Sequence, residues 1–247
     1  MDQKSNLGRI QIVLVGTQDG ANVGSVCRAM KTMGITRLVL VGDREYDENR
    51  VRTLALHARD VWESAKRYES LQEALAESVL TVASTRRQGK FRKDSVLNPQ
   101  QLATRVQETG EGLISIVFGR ESDGLTDEEV AQCAAVVSIP TSDDFPSLNL
   151  SQAVQIITYN LFDKIKTWTV EAVPVEQARS EQAAATATSA MDEIGYFKQG
   201  HEKLWTYRFL RDVFVRAALS ESEIQKMEKV FVKMGKIIAH KEPKDDV

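Results

Sequence analysis

Ile139-Pro140-Thr141-Ser142-Asp143-Asp144-Phe145-Pro146-Ser147-Leu148-Asn149-Leu150-Ser151-Gln152-Ala153-Val154 joins two different apolar patterns. Upstream, Ala134 to Ile139 is short and almost wholly apolar, the composition of a strand buried on both faces. Pro140 ends it, and a polar loop leads to Phe145-Pro146. Downstream, Leu150, Ala153, Val154, Ile157 and Leu161 recur at helical spacing, which predicts a helix beginning near Ser147. Ser147 and Asn149 then stand at a helix N-terminus, just past the end of a buried strand. Open α/β sheets bind ligands in the crevice at that place, where unpaired backbone N–H groups join side-chain amide and hydroxyl. A simple helix cap at Ser147 is the plainer alternative.

The same alternation runs outward from this stretch. Arg9 to Val15, Arg37 to Val41, Val79 to Ala83 and Leu113 to Phe118 read as apolar strands. Asn22 reads as the cap of a helix with the stripe Val23, Val26, Met30 and Met33, closed by Gly34. Val51 to Ala65 reads as one helix with Leu54, Ala58 and Val61 on a face. Ser70 to Glu73 and Thr126 to Glu129 have the capping-box pattern, and Asn98-Pro99 is a cap followed by proline at the first helical position. Strands alternating with helices at this interval predict an α/β domain over residues 1–168, a mostly parallel sheet with helices on both faces.

Residues 169–190, which include VEAVPVEQARSEQAAATATSA, carry no stripe of large apolar side chains and read as a linker, although the alanines could extend a helix. Residues 191–247 read as a small helical extension. Leu204, Tyr207, Leu210, Phe214 and Ala217 mark one amphipathic helix. Ser220 to Glu223 caps a second, with Ile224, Met227, Phe231, Met234 and Ile238 along its face. A hairpin this small is expected to dock on the sheet domain or on a partner chain.

Composition narrows the function. In 247 residues, 42% hydrophobic and 27% charged content suits a water-soluble domain with a substantial core. No apolar run approaches a membrane span, and MDQKSNLGR lacks the apolar region of a signal peptide, so a cytoplasmic protein without membrane contact is expected. Cys27 and Cys133 are expected to be buried free thiols. His57, His201 and His240 are widely spaced and neither cysteine has a partner at ligand spacing, so no metal and no histidine-based triad is expected. With a net charge of −3, any nucleic-acid surface must be a local patch.

Three loops at strand ends hold the unusual residues. Gly16 to Ser25 is a glycine-rich strand-to-helix turn without the lysine of a P-loop or the spacing of a dinucleotide fingerprint. Arg28, about 200° around its helix from Val26, is free to face a ligand or water. Phe118-Gly119-Arg120-Glu121-Ser122-Asp123-Gly124-Leu125 brackets a charged pair with two glycines; a surface ion pair between Arg120 and Glu121 is the plain reading. In Arg86-Arg87-Gln88-Gly89-Lys90-Phe91-Arg92-Lys93, five of eight residues are cationic and none is acidic, which suits phosphate contact or a solvated loop.

Together, Asn22…Arg28, Phe118-Gly119-Arg120-Glu121…Gly124-Leu125 and Ile139-Pro140…Ser147-Leu148-Asn149-Leu150-Ser151 resemble the three signature motifs of the SPOUT RNA methyltransferases, in their SpoU/TrmH-like branch. The resemblance covers residues 8–168. It implies a C-terminal trefoil knot, an exception to the rule against threaded chains, a homodimer, and S-adenosyl-L-methionine bound in the knot. By position it implies cofactor contacts from Ser84, Thr85, Arg86, Gly119, Ile139, Pro146, Ser147 and Leu148. It implies a catalytic face of Asn22, Arg28, Glu121, Ser147 and Asn149, and RNA contacts from Arg28, Arg87, Lys90, Arg92 and Lys93. The substrate of such enzymes is a ribose 2′-hydroxyl. The helical extension and the run VLVGTQDGANVGSVCRAMKTMGI are similar to the TrmJ-type tRNA enzymes, which implies cytidine or uridine 32 of the anticodon loop. An rRNA 2′-O-methyltransferase of the same fold and a non-catalytic RNA-binding knotted module are the alternatives.

Overall fold

The computed structural model describes residues 7–86, 96–165 and 173–239. In chain order, β1 (Ile10–Val15) leads into α1 (Gly20–Thr32), and β2 (Arg37–Val41) into α2 (Glu48–Ala55), a 3-10 turn at Leu56–Ala58 and α3 (Arg59–Glu63). A short strand β3 (Lys66–Tyr68) and helix α4 (Leu71–Leu75) precede β4 (Ser78–Ser84). Next come β5 (Val96–Leu97), α5 (Pro99–Glu108), β6 (Leu113–Phe118), α6 (Asp127–Gln132), β7 (Ala135–Val137) and α7 (Leu150–Ile165). The extension contributes α8 (Gln177–Glu193), α9 (Gly200–Arg216) and α10 (Glu221–Ala239).

The strands form one sheet in the order β3-β2-β1-β6-β4-β7-β5, and every pairing is parallel. On one face, Val26 and Met30 of α1, Leu102 and Val106 of α5, and Val154 and Ile157 of α7 pack over Ile12, Leu14, Leu80, Ile114 and Ile116. On the other, Leu71 and Leu75 of α4 join Val13, Val39, Ala83, Val117 and Val136. That second face turns polar across three adjacent strands, where Gln11, Ser115 and Thr81 are paired in register and buried. Gln11 Nε2 donates to Ser115 Oγ at 2.7 Å and to the Ala74 carbonyl at 3.1 Å, and Ser115 Oγ lies 2.6 Å from Ser78 Oγ. Partners of this kind are what make buried polar side chains tolerable.

The extension docks on this face. Thr81 Oγ1 accepts from the Ala134 N–H at 2.9 Å and donates to Gln177 Oε1 at the start of α8. The stretch 177–190, read from the sequence as part of a linker whose alanines could extend a helix, is helical, and the helix runs on to Glu193. Its buried positions include Ala183, Ala184, Ala187 and Ala190, small residues that let α9 and α10 approach closely. Phe214 and Ile224 close the small core around Ala183 and Ala184, while Val215 reaches into the main core. A stripe made of alanine buries a helix without registering as a large-residue pattern.

Three local readings are also corrected. Residues 51–65 are not one helix: the chain breaks at Leu56, whose φ is 51°, and the face that enters the core is Val51, Ala55, Ala58 and Val61, leaving Leu54 exposed. The N-cap of α1 is Asp19, whose side chain accepts from the Ala21 N–H, so Asn22 lies inside the first turn. α7 begins at Leu150 rather than near Ser147. β3 went unread because a three-residue edge strand with two charges has no apolar run.

Among the described residues no helix is long and apolar enough to cross a membrane. Cys27 and Cys133 are both buried, and burial pushes the Cys27 thiol up to about 12. A disulfide reagent at pH 8 is expected to find no fast-reacting thiol in the native protein and two after denaturation. One rapidly titrated native thiol would contradict this packing.

Candidate active site

The C-terminal ends of β4, β6 and β7 open into a solvent-facing cleft. Its lining is Ser84 to Arg86, Phe118 to Gly124, Ile139, Thr141, Pro146 to Leu148, Leu150 and Ala153. All eight residues assigned to the cofactor by resemblance lie on it: Ser84, Thr85, Arg86, Gly119, Ile139, Pro146, Ser147 and Leu148. The strand order departs from chain order here, since β4 sits between β6 and β7. Such departures in parallel sheets create the crevices where ligands bind.

Local chemistry shapes each wall. The Thr85 N–H donates to the Val137 carbonyl at 3.0 Å, which ties the end of β4 to the end of β7. After β6 the chain doubles back, with Arg120 and Gly124 exchanging backbone hydrogen bonds at 3.1 and 2.9 Å. Gly124 has φ of 72°, a conformation glycine adopts freely. Gly119 serves a different need: a Cβ there would sit 2.1 Å from the Gly124 carbonyl carbon. On the opposite wall, Thr141 Oγ1 donates to the Pro146 carbonyl at 3.3 Å.

Beside the cleft, three loops are joined through side chains. Glu121 Oε2 accepts from the Gln18 N–H at 2.8 Å, and Oε1 accepts from Asn22 Nδ2 at 2.8 Å. Asn149 Nδ2 donates to Asn22 Oδ1 at 3.0 Å. Asn149 also begins α7, its Oδ1 accepting from Ser151 N–H and Oγ at 2.9 and 2.7 Å. The cap is thus Asn149, and Ser147 is left on the cleft wall. Asn22, Glu121 and Asn149, far apart in sequence, form one hydrogen-bonded line. Arg28 is not part of it: it is exposed on α1, away from the cleft lining. Arg87, Lys90, Arg92 and Lys93 lie outside the described residues.

Arg120 does not pair with Glu121. Its guanidinium meets Glu129 of α6 through two hydrogen bonds, 3.0 and 3.1 Å, and this carboxylate holds the Arg120 pKa above its ordinary value. The two neighbours point to opposite sides of the loop, one toward α1 and one toward α6. Gly16, with φ of 59°, leaves room for Arg120, whose Nε would lie 2.9 Å from a Cβ at that position. Gln18 went unread because it acts through its backbone N–H, which residue type does not reveal. Glu129 was visible only as the closing residue of a capping box, and its second role required the fold. The cleft offers apolar contact from Phe118, Ile139, Leu148 and Leu150, hydroxyls from Ser84, Thr85 and Ser147, and a carboxylate at Glu121. Among the described residues no group of side chains could hold a metal ion.

Residues 9–159 match the family model described as the SpoU rRNA Methylase family. The chain is 39% identical over 157 residues to the tRNA (cytidine-2'-O-)-methyltransferase TrmJ of Methanocaldococcus jannaschii, covering 63% of this chain and 68% of that protein. It is 32% identical over 228 residues to the tRNA (cytidine/uridine-2'-O-)-methyltransferase TrmJ of Pectobacterium atrosepticum, covering 92% and 90%. Among solved structures, TrmJ from Z. mobilis ZM4 superposes with a TM-score of 0.72 at 29% identity, over 91% of this chain and 98% of that one.

Proposed function

The chain belongs to the SpoU rRNA methylase family, and from that premise we propose that it methylates a ribose 2′-hydroxyl of tRNA using S-adenosyl-L-methionine. The observation that carries the reading is the coincidence of one cleft with all eight implied cofactor residues, next to the line Glu121–Asn22–Asn149. The cleft suits the cofactor: apolar walls for an adenine, small residues and loop backbone at its floor, and hydroxyls for polar edges. The tRNA activity in the names of the relatives favours tRNA over rRNA. Within tRNA, we assign nucleotide 32 of the anticodon loop. We further propose a homodimer, in keeping with Tyr159 and Phe162 exposed on α7, and the trefoil knot that the family's fold implies.

Bound S-adenosyl-L-methionine supplies the activated methyl group. The protein has to place the 2′-oxygen in line with it and help that oxygen lose its proton. Both oxygens of Glu121 already accept hydrogen bonds, so it positions the loops after β1 and β6 rather than acting as a free base. Asn22 and Asn149 are committed in the same way. The Arg28 guanidinium has no acceptor lone pair, which disqualifies it as a base. Exposed on α1, it is available to clamp the neighbouring phosphate in bidentate fashion and to stabilise the developing alkoxide. The proton then leaves through that phosphate or through water.

Arg28→Lys keeps the charge but loses the fork, and turnover at saturating tRNA is expected to drop about tenfold or more. Near-normal turnover would remove the clamp from the mechanism. The function itself is checked by incubating the protein with methyl-labelled S-adenosyl-L-methionine and tRNA or rRNA from cells lacking it, then digesting to nucleosides. Label in 2′-O-methylcytidine or 2′-O-methyluridine from tRNA supports the assignment. Label from rRNA keeps the reaction and overturns the substrate. Cofactor binding with no label in either favours a non-catalytic module.

A further inference from the structure

We infer that Gln177 and Arg211 of the helical extension are positioning residues for the cofactor cleft, acting through Glu129 and Arg120. The inference rests on reading that cleft as the S-adenosyl-L-methionine site. Its starting point is α6, which contributes no fully buried side chain to the core. A six-residue helix of this kind is placed by the polar ties at its ends and along its side.

Those ties run in a line from the extension to the cleft. The last carbonyls of a helix lack partners inside it and are satisfied by outside donors, cationic ones being especially favourable. Here Gln177 Nε2 donates to the Gln132 carbonyl at 3.2 Å, and the Arg211 guanidinium donates to the Ala131 carbonyl. Both donors are themselves fixed. Gln177 is buried, held by Thr81 of the sheet and by Glu181 at 2.9 Å. Arg211 is buried with Asp212, which accepts from its Nε and Nη2 at 3.0 and 2.8 Å. At the other end of α6, Glu129 closes the capping box with Thr126 and grips Arg120 with two hydrogen bonds. Arg120 is part of the cleft wall and adjoins Glu121.

The extension thus holds the carboxylate that holds the wall. Outer contacts that orient the residues of a site are often worth about 10- to 100-fold in affinity or rate, because small misplacements are costly there.

The experiment measures S-adenosyl-L-methionine affinity by calorimetry, alongside melting temperature and steady-state methylation of tRNA, for the full chain. Gln177→Leu removes the donor to α6. Glu129→Gln keeps the capping box, which glutamine also supports, and weakens only the grip on Arg120. Each is expected to weaken cofactor binding at least about fivefold, with kcat at saturating cofactor within about twofold of the wild type. The double variant is expected to be no weaker than the more affected single one, since both cut the same line. A lowered melting temperature with unchanged affinity would overturn the proposal and leave the extension a packing role alone. If Gln177→Leu does not fold, Glu129→Gln decides: unchanged affinity there overturns it equally. Wild-type protein that binds no S-adenosyl-L-methionine would instead overturn the cofactor reading, a separate outcome.

Discussion

Gly119→Ala is expected to lose measurable binding of S-adenosyl-L-methionine, an affinity loss of about a hundredfold or more. The added methyl would lie 2.1 Å from the Gly124 carbonyl carbon, 2.3 Å from the Leu125 nitrogen and 2.4 Å from the Gly124 oxygen. All three are backbone atoms, so no side-chain rotation relieves the clash. The loop after β6 has to open, which breaks the backbone pair between Arg120 and Gly124 and draws buried Leu125 out of its core. Overpacking typically costs about 1–3 kcal/mol, and more when backbone must move. Gly124→Ala is the informative control: its backbone is left-handed, but nothing lies within 4 Å of the new methyl. It should cost only about 1–2 kcal/mol in backbone strain and a modest part of the affinity. Calorimetric titration of both variants checks this, and a Gly119→Ala protein that binds like wild type would contradict the close approach of Gly119 to Gly124.

Glu121→Gln is expected to be nearly as damaging as Glu121→Ala, lowering methyl transfer about a hundredfold. The carboxylate accepts at both oxygens, from the Gln18 backbone and from the Asn22 amide. An amide in its place has one oxygen, so its NH₂ must face an N–H donor in one of the two contacts. That loses a charge-assisted hydrogen bond, worth about 1.5–3 kcal/mol, and sets two donors against each other. The loops after β1 and β6 then separate, and Asn22 no longer holds Asn149 at the start of α7. Because Glu121 is partly exposed, the melting temperature should change little. Single-turnover transfer to tRNA is the measurement, and retention of more than about a third of the wild-type rate would remove Glu121 from the positioning role.

Sequence pattern revealed most of the sheet, because a parallel sheet covered on both faces writes itself as short apolar runs. Ile10–Val15, Arg37–Val41 and Leu113–Phe118 are such runs. It failed where burial uses small residues and where an edge strand is charged and exposed. The alanine face of α8 looked like a linker, and Lys66–Tyr68 carries no apolar run to read. The cleft was legible because its residues fall directly after strand ends, where chain position and spatial position coincide. What could not be read was pairing across loops. Neighbours in sequence suggested an Arg120–Glu121 pair, while the folded chain gives Arg120 to Glu129 and Glu121 to Asn22. The capping of α1 and α7 shifted for the same reason: a serine, aspartate or asparagine near an apolar stripe can cap, but which one does so depends on where the chain enters the helix.

The register of the sheet also sets a timetable. β1 lies between β2 and β6, and Ile10 pairs with Ile114. At synthesis rates of about 5–20 residues per second, the ribosome adds residue 114 roughly 5–20 s after residue 10. Through that interval β1 has β2 on one side and an open edge of unpaired N–H and C=O groups on the other, an invitation to pair with another chain. Distant parallel pairings of this sort close slowly. Newly made chains are therefore at greatest risk of aggregating before β6 emerges, and synthesis stalled in that interval would hold them there.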